Sequence, residues 1–86
     1  MVATIKIMPE GVETDLDSIK NSIESVLPSN TQLHDTSIQP IAFGLSALIA
    51  RVLLSDEGGV ADALEENLAK IDGVREVTID DVRRLL

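Results

Sequence analysis

The pattern of apolar and polar residues predicts a strand near each end of the chain and two helices between them. Apolar residues alternate with polar ones over Val2–Met8 and again from Val74 to about Val82, as in strands that cover a core with one face. Two other segments repeat their apolar residues every three or four positions, which is the period of an amphipathic helix. The two helical stripes are Leu16, Ile19, Ile23, Val26 and Leu27, and Val60, Leu64, Leu68 and Ile71.

The predicted helices have recognisable ends. Thr14 or Asp15 can cap the first helix with a side-chain oxygen, and Pro28 closes it. Gly73 ends the second helix.

Two further strands are predicted between the helices, and they differ in hydrophobicity. Thr31–Gln39 has only Leu33 and Ile38 as large apolar residues, and Pro40 follows it. Proline cannot donate to a sheet ladder, so this segment suits an edge strand. Leu45–Leu54 is apolar at both alternations, which is typical of a central strand with both faces covered.

The order β-α-β-β-α-β predicts an α+β, ferredoxin-like fold over residues 1–86, as a single domain. In this arrangement two helices cover one face of a four-stranded antiparallel sheet, and the first and third strands are central. Arg51 is easier to place on the open face than against the helices. Its alternation would then leave an apolar strip on a bare sheet, suited to a partner or to a homodimer. The strip consists of Leu45, Ala47, Ile49 and Leu53.

Composition narrows the classes of function. The chain has 86 residues, one Phe, no Trp, Tyr or Cys, and a formal net charge of −8. Without Cys, disulfides, thiolate metal sites and thiol catalysis are excluded. The negative charge opposes direct binding to nucleic acid, and the central strands lack the stacking aromatics of an RNA-recognition domain.

With no signal peptide or membrane span in its first 20 residues, we expect a cytoplasmic protein that does not bind membranes.

The charge is unevenly distributed. Residues 10–35 and residues 56–72 each hold six acidic residues and one Lys, so the helical layer is predicted to be negative. Arg75, Arg83 and Arg84 place three of the seven basic residues near the C-terminus. This basic end is either a working surface or a terminus kept soluble by Arg.

None of the candidate chemical groups predicts catalysis, a metal or a cofactor. His34 has no nucleophile in a recognisable setting, and a solvent-facing role is expected. The members of the pairs Glu65-Glu66 and Asp80-Asp81 point to different sides of their elements. Gly58-Gly59 precedes a helix but stands beside Asp56 and Glu57, without a Walker-type Lys, and a plain turn is expected.

The segment Gln39–Leu45, which reads Gln-Pro-Ile-Ala-Phe-Gly-Leu before a long apolar strand, resembles the archaeal elongation factor 1-beta family. It is also similar to the C-terminal exchange domain of the eukaryotic counterpart, where Pro-Val-Gly-Tyr/Phe-Gly-Ile precedes an equivalent strand. Pro9 and Glu13–Leu16 match the eukaryotic pattern, and the ending Asp81–Leu85 is of the archaeal kind. The resemblance covers essentially the whole chain.

The resemblance implies a guanine-nucleotide exchange factor for elongation factor 1-alpha, the GTPase that delivers aminoacyl-tRNA, and not an enzyme. A cationic tail would act near the magnesium site of the GTPase, and the turn after the second strand would bind the protein. The implied contact residues are Phe43, Gly44, Leu45, Arg83, Arg84 and Leu86. The eukaryotic domains have Lys next to last, whereas this chain has Leu85, so one of the two Arg residues would replace it, with Arg84 nearer the end.

Two alternatives stay open at the level of sequence. Phe43 is either a partner contact or a core ring that closes the hairpin. The chain could also be a small regulatory or dimerisation module on the same fold, because this fold hosts many functions. For an exchange factor we expect a monomer.

Overall fold

The computed structural model describes residues 1–28, 31–54 and 59–83, and these form the predicted order of elements. The strands are β1 (Val2–Pro9), β2 (Thr31–Ala42), β3 (Leu45–Leu54) and β4 (Val74–Arg83); the helices are α1 (Leu16–Val26) and α2 (Val60–Ala69). The four strands pair antiparallel in the order β2-β3-β1-β4. The ferredoxin-like prediction, with the first and third strands central, is confirmed. Neither α1 nor α2 is long and apolar enough to cross a membrane.

The core lies between one face of the sheet and the two helices. It is built from aliphatic side chains, and the described residues bury no polar or charged side chain. Full burial of each large aliphatic group contributes about 1.5–3 kcal/mol, so these residues carry most of the stability. The central members are Ala3, Ile5, Ile7, Leu48, Ala50, Val52, Ile19, Ile23, Leu64 and Leu68.

The other face of the sheet is only partly as predicted. The alternation of β3 that contains Arg51 does lie opposite the helix-facing row. A bare apolar strip is wrong, however, because Ala47 is fully buried and Leu45, Ile49 and Leu53 are half-buried. The neighbouring strands place polar side chains beside part of this row, as where Ser37 and Lys6 flank Ile49 in register.

Local capping explains where α1 begins. Asp15 is the N-cap residue, and its carboxylate accepts a hydrogen bond of 3.0 Å from the backbone N–H of Asp17. Thr14, the other predicted cap, instead accepts from the N–H of Gly11 at 3.2 Å. Its hydroxyl therefore fixes the loop before the helix rather than the helix itself.

The strands run slightly further than their sequence patterns indicate. β1 continues to Pro9 and β2 to Ala42, so Pro40 lies inside β2. This is tolerated because β2 is an edge strand with one side unpaired.

Candidate functional site: a hairpin tip and a basic strand end

The turn between β2 and β3 presents the single Phe of the chain to solvent. Phe43 and Gly44 form a two-residue connection in which both φ angles are positive, 53° and 80°. Two-residue hairpins commonly use such a turn, because its twist matches that of the strands. Phe43 is fully exposed, so the core-ring alternative is wrong.

Other apolar side chains are exposed at the same end of the molecule. Val12, in the loop between β1 and α1, is 63% exposed, and Ile38 and Ile41 near the end of β2 are 56% and 40% exposed. A Cβ placed on Gly44 would lie 3.9 Å from Val12 Cγ1, so this loop touches the hairpin. We call Val12, Ile38, Ile41 and Phe43 the apolar tip.

Between the loop and the hairpin lies a small cleft of about 240 Å³. Val12, Leu16, Ile38 and Gly44 are among the residues that line it. Sequence reasoning singled out Phe43 and Gly44 but not the rest of this surface. In the sequence, the sign of this surface is Val12, an isolated apolar residue between Gly11 and the acidic residues at the start of α1.

The loop at the apolar tip is held from two sides. The N–H of Glu10 donates to the carbonyl of Gly73 at 2.9 Å, which ties the loop to the turn before β4. Thr14 closes the loop on itself through Gly11. Glu10, Glu13 and Asp15 are exposed, so the loop beside the tip carries negative charge.

The structure divides the basic end, because Arg75 lies at the start of β4 and Arg83 at its C-terminal end. Arg83 pairs in register with Val2, and its Nε donates to Oδ2 of Asp81. Its side chain remains 78% exposed. Arg84 and Leu86, two of the predicted contact residues, lie outside the described residues.

A second arginine is anchored on the open face of the sheet. The Nε and Nη2 of Arg51 donate to the two carboxylate oxygens of Asp35, the second contact at 2.9 Å. This hydrogen bond, together with the positive charge of Arg51, lowers the pKa of Asp35. The same contact raises the pKa of Arg51. Two of the three guanidinium nitrogens of Arg51 are therefore engaged by Asp35 of the neighbouring strand.

Those predicted contact residues that the structure describes do not lie together. Phe43, Gly44 and Leu45 lie where β3 begins, whereas Arg83 is level with Leu53 through their shared partner Val2. At about 3.3 Å per residue, the eight steps from Leu45 to Leu53 separate the two regions by roughly 26 Å. The candidate site therefore has two parts, at opposite ends of the sheet.

The remaining candidates for chemistry are the single histidine and the acidic side chains. His34 is exposed on the edge strand, as predicted. Within residues 1–28, 31–54 and 59–83, no three His, Asp or Glu side chains are grouped so as to hold a metal ion. The geometry instead offers an apolar anchor and a charged hydrogen-bond donor, which suits contact with another protein.

Known proteins similar in sequence match this chain over nearly its full length. Elongation factor 1-beta of Methanothermobacter thermautotrophicus is 45% identical over 86 residues, covering 100% of this chain and 97% of that protein. The protein of the same name from Methanosarcina barkeri is 46% identical over 86 residues, covering 99% and 97%. In Haloarcula marismortui the identity is 40% over 85 residues, with 99% and 97% covered.

Solved structures with low sequence identity share the fold alone. The ACT domain of GTP pyrophosphokinase from Chlorobium tepidum has a TM-score of 0.61 at 19% identity, covering 91% of this chain and 95% of that one. The C-terminal domain of MgtC from Mycobacterium tuberculosis has a TM-score of 0.59 at 16% identity, covering 90% and 82%. The family model described as the EF-1 guanine nucleotide exchange domain matches residues 2–85. With this match and relatives of such identity, the chain belongs to the EF-1 guanine nucleotide exchange domain family.

Proposed function

We propose that this chain acts as one guanine-nucleotide exchange domain that releases GDP from elongation factor 1-alpha. The observation that carries the proposal is Phe43, which is fully exposed at a positive φ. Neither burial nor backbone preference favours Phe at this position, and aromatic rings are frequent anchors of protein interfaces. Family membership supports a GTPase of translation as the partner.

The exchange itself requires no bond between this chain and the nucleotide. An exchange factor binds the nucleotide-free GTPase most tightly, and by linkage it weakens GDP binding by the factor by which GDP weakens its own binding. GTP then refills the site and displaces the factor. On this mechanism the chain is not an enzyme in the sense of making or breaking covalent bonds.

The two parts of the site suit two separate contacts. The apolar tip would hold the GTPase through Phe43, and the adjoining Gly44 and Leu45 would belong to the same contact. The basic end, with Arg83 and the following Arg84 and Leu86, would approach the magnesium and phosphate site, where a cation competes with the metal for acidic ligands. The separation of roughly 26 Å between the two parts is compatible with contacts to two regions of one larger protein.

Release of labelled GDP from the cognate elongation factor 1-alpha, with and without this protein, tests the proposal. We expect faster release with the wild-type chain and slower release with Arg83→Ala, Arg84→Ala or the double variant. If wild-type protein leaves the release rate unchanged, the proposed function is wrong. Sizing chromatography adds a check, since a tight homodimer that ignores the GTPase would instead support a regulatory or dimerisation module.

A further inference from the structure

The arginines Arg51 and Arg83, on the open face of the sheet, are held in different ways. Arg51 uses both Nε and Nη2 to bind Asp35, and its side chain is 43% exposed. Arg83 uses Nε alone to bind Asp81, and its side chain is 78% exposed. Within the described part of the chain, the two terminal NH₂ groups of Arg83 have no hydrogen-bond acceptor. They project from a guanidinium that a neighbouring carboxylate holds.

A β-bulge places this pair on the open face. In the register of β1 with β4, Ile5 is opposite Ile79 but Thr4 is opposite Asp81, so Asp80 is an extra residue. Ile79 packs against the core, and strict alternation would send residues 81 and 83 to the helix side as well. The extra residue reverses this, and Asp81 and Arg83 lie on the face that carries Thr4.

We infer that Asp81 is a positioning residue, which orients Arg83 so that its NH₂ groups bind a carboxylate of the GTPase. The inference rests on the proposed exchange function. A guanidinium presents its donors in a planar fork that matches two carboxylate oxygens. The tightest complex of an exchange factor lacks nucleotide, so a carboxylate of the GTPase is present in that complex whereas a nucleotide phosphate is not. Holding Nε in advance reduces the side-chain entropy that is lost on binding.

Asp81→Asn and Asp80→Asn are a matched pair of variants that tests this inference. Each removes one negative charge, at adjacent positions, but Asp81 is the one of the two that forms an ion pair with Arg83 in the described part of the chain. We expect Asp81→Asn to raise the half-saturating concentration for GDP release by about two- to fivefold, the range of an exposed ion pair, with a smaller change in the maximal rate. Asp80→Asn should match wild type, and Asp81→Glu should restore most of the loss.

Two further variants separate positioning from a general structural effect. In an Arg83→Ala background, Asp81→Asn should have no additional effect on the half-saturating concentration. Arg83→Lys should be impaired, though less than Arg83→Ala, since an ammonium group keeps the positive charge but cannot form the two parallel bonds. Unfolding midpoints measured alongside identify any variant that is merely less stable.

The outcomes distinguish this inference from the function on which it rests. If wild-type protein does not accelerate GDP release, both are wrong. If wild type is active but Asp81→Asn behaves like Asp80→Asn, the positioning role alone is wrong. It is also wrong if Asp81→Asn is equally harmful without Arg83, or if Arg83→Lys has wild-type activity.

Discussion

Phe43 occupies a position that is unfavourable for Phe in both backbone conformation and solvent exposure. A residue with a Cβ at φ 53° is strained by about 1–2 kcal/mol, and Asn, Asp or Gly would adopt the turn more readily. Burial cannot offset this cost, because the ring is fully exposed. Such a local cost is typical of residues kept for binding.

Replacing Phe43 with Asn should therefore separate stability from activity. We expect the free energy of unfolding to stay the same or rise by up to about 1 kcal/mol, because Asn tolerates a positive φ. The half-saturating concentration for GDP release should rise about tenfold, as for an interface anchor. Thermal unfolding and GDP-release assays measure the two effects.

Phe43→Leu, which keeps an apolar side chain, should leave the unfolding midpoint nearly unchanged. A drop of several degrees would mean that the ring supports folding.

The ion pair between Asp35 and Arg51 should make part of the stability depend on pH. The folded state lowers the pKa of Asp35 from 3.8, so the unfolded state takes up this proton first as the pH falls. The stabilisation is thus present above about pH 4 and is lost as the pH falls through the lower folded-state pKa. Asp35→Asn should be less stable than wild type at pH 7 in urea titrations, and the difference should shrink at pH 3. A difference that is constant over this range would contradict the assignment.

At the scale of elements, the turn before β4 determines how closely the loop at the apolar tip can pack. Gly73 has φ 89°, and a Cβ there would lie 2.9 Å from the methyl carbon of Thr14. Both the backbone and the available space therefore require glycine. The same turn accepts the hydrogen bond from Glu10, so it supports the loop that carries Val12.

Gly73→Ala should consequently destabilise the protein by about 1–3 kcal/mol, measured by urea unfolding. Gly11→Ala is a matched control in the same region, because nothing lies within 4 Å of its added Cβ. It should be close to neutral. Thr14→Ser keeps the hydroxyl but removes the crowding methyl, so it should recover part of the loss in the Gly73→Ala background. If Thr14→Ser recovers no stability, the whole loss in Gly73→Ala comes from the strained backbone at position 73.

The β-bulge shows why an alternating pattern can misplace a strand end. Val77 and Ile79 face the core at odd positions, whereas Val82 is opposite Ala3 at an even position. The pattern therefore changes phase within β4, and one extra residue accounts for it. This phase change is visible in the sequence, but only pairing with β1 locates the extra residue at Asp80 and assigns Arg83 to a face.

At the scale of the whole molecule, the sheet separates the two proposed contact regions by roughly 26 Å. Variants at such distances usually have independent effects on binding free energy. We expect the changes in dissociation constant for the nucleotide-free GTPase caused by Phe43→Leu and Arg83→Ala to multiply, within about twofold, in the double variant. A double variant no weaker than either single variant would mean that both residues serve one contact.

The sequence by itself determined the order of elements, the central strands and the helix-facing row of β3, because these follow from local periodicity and from how apolar residues must be covered. It also identified the turn of Phe43 and Gly44 and the Arg-rich end as candidates. Tertiary structure decided what depends on contacts between distant segments. Side chains of the neighbouring strands flank Ile49, and the loop that carries Val12 touches the hairpin. The bulge places Arg83 on the open face of the sheet. Strand pairing also places the two candidate regions at opposite ends of the sheet, since distance along a sheet is set by register and not by residue type.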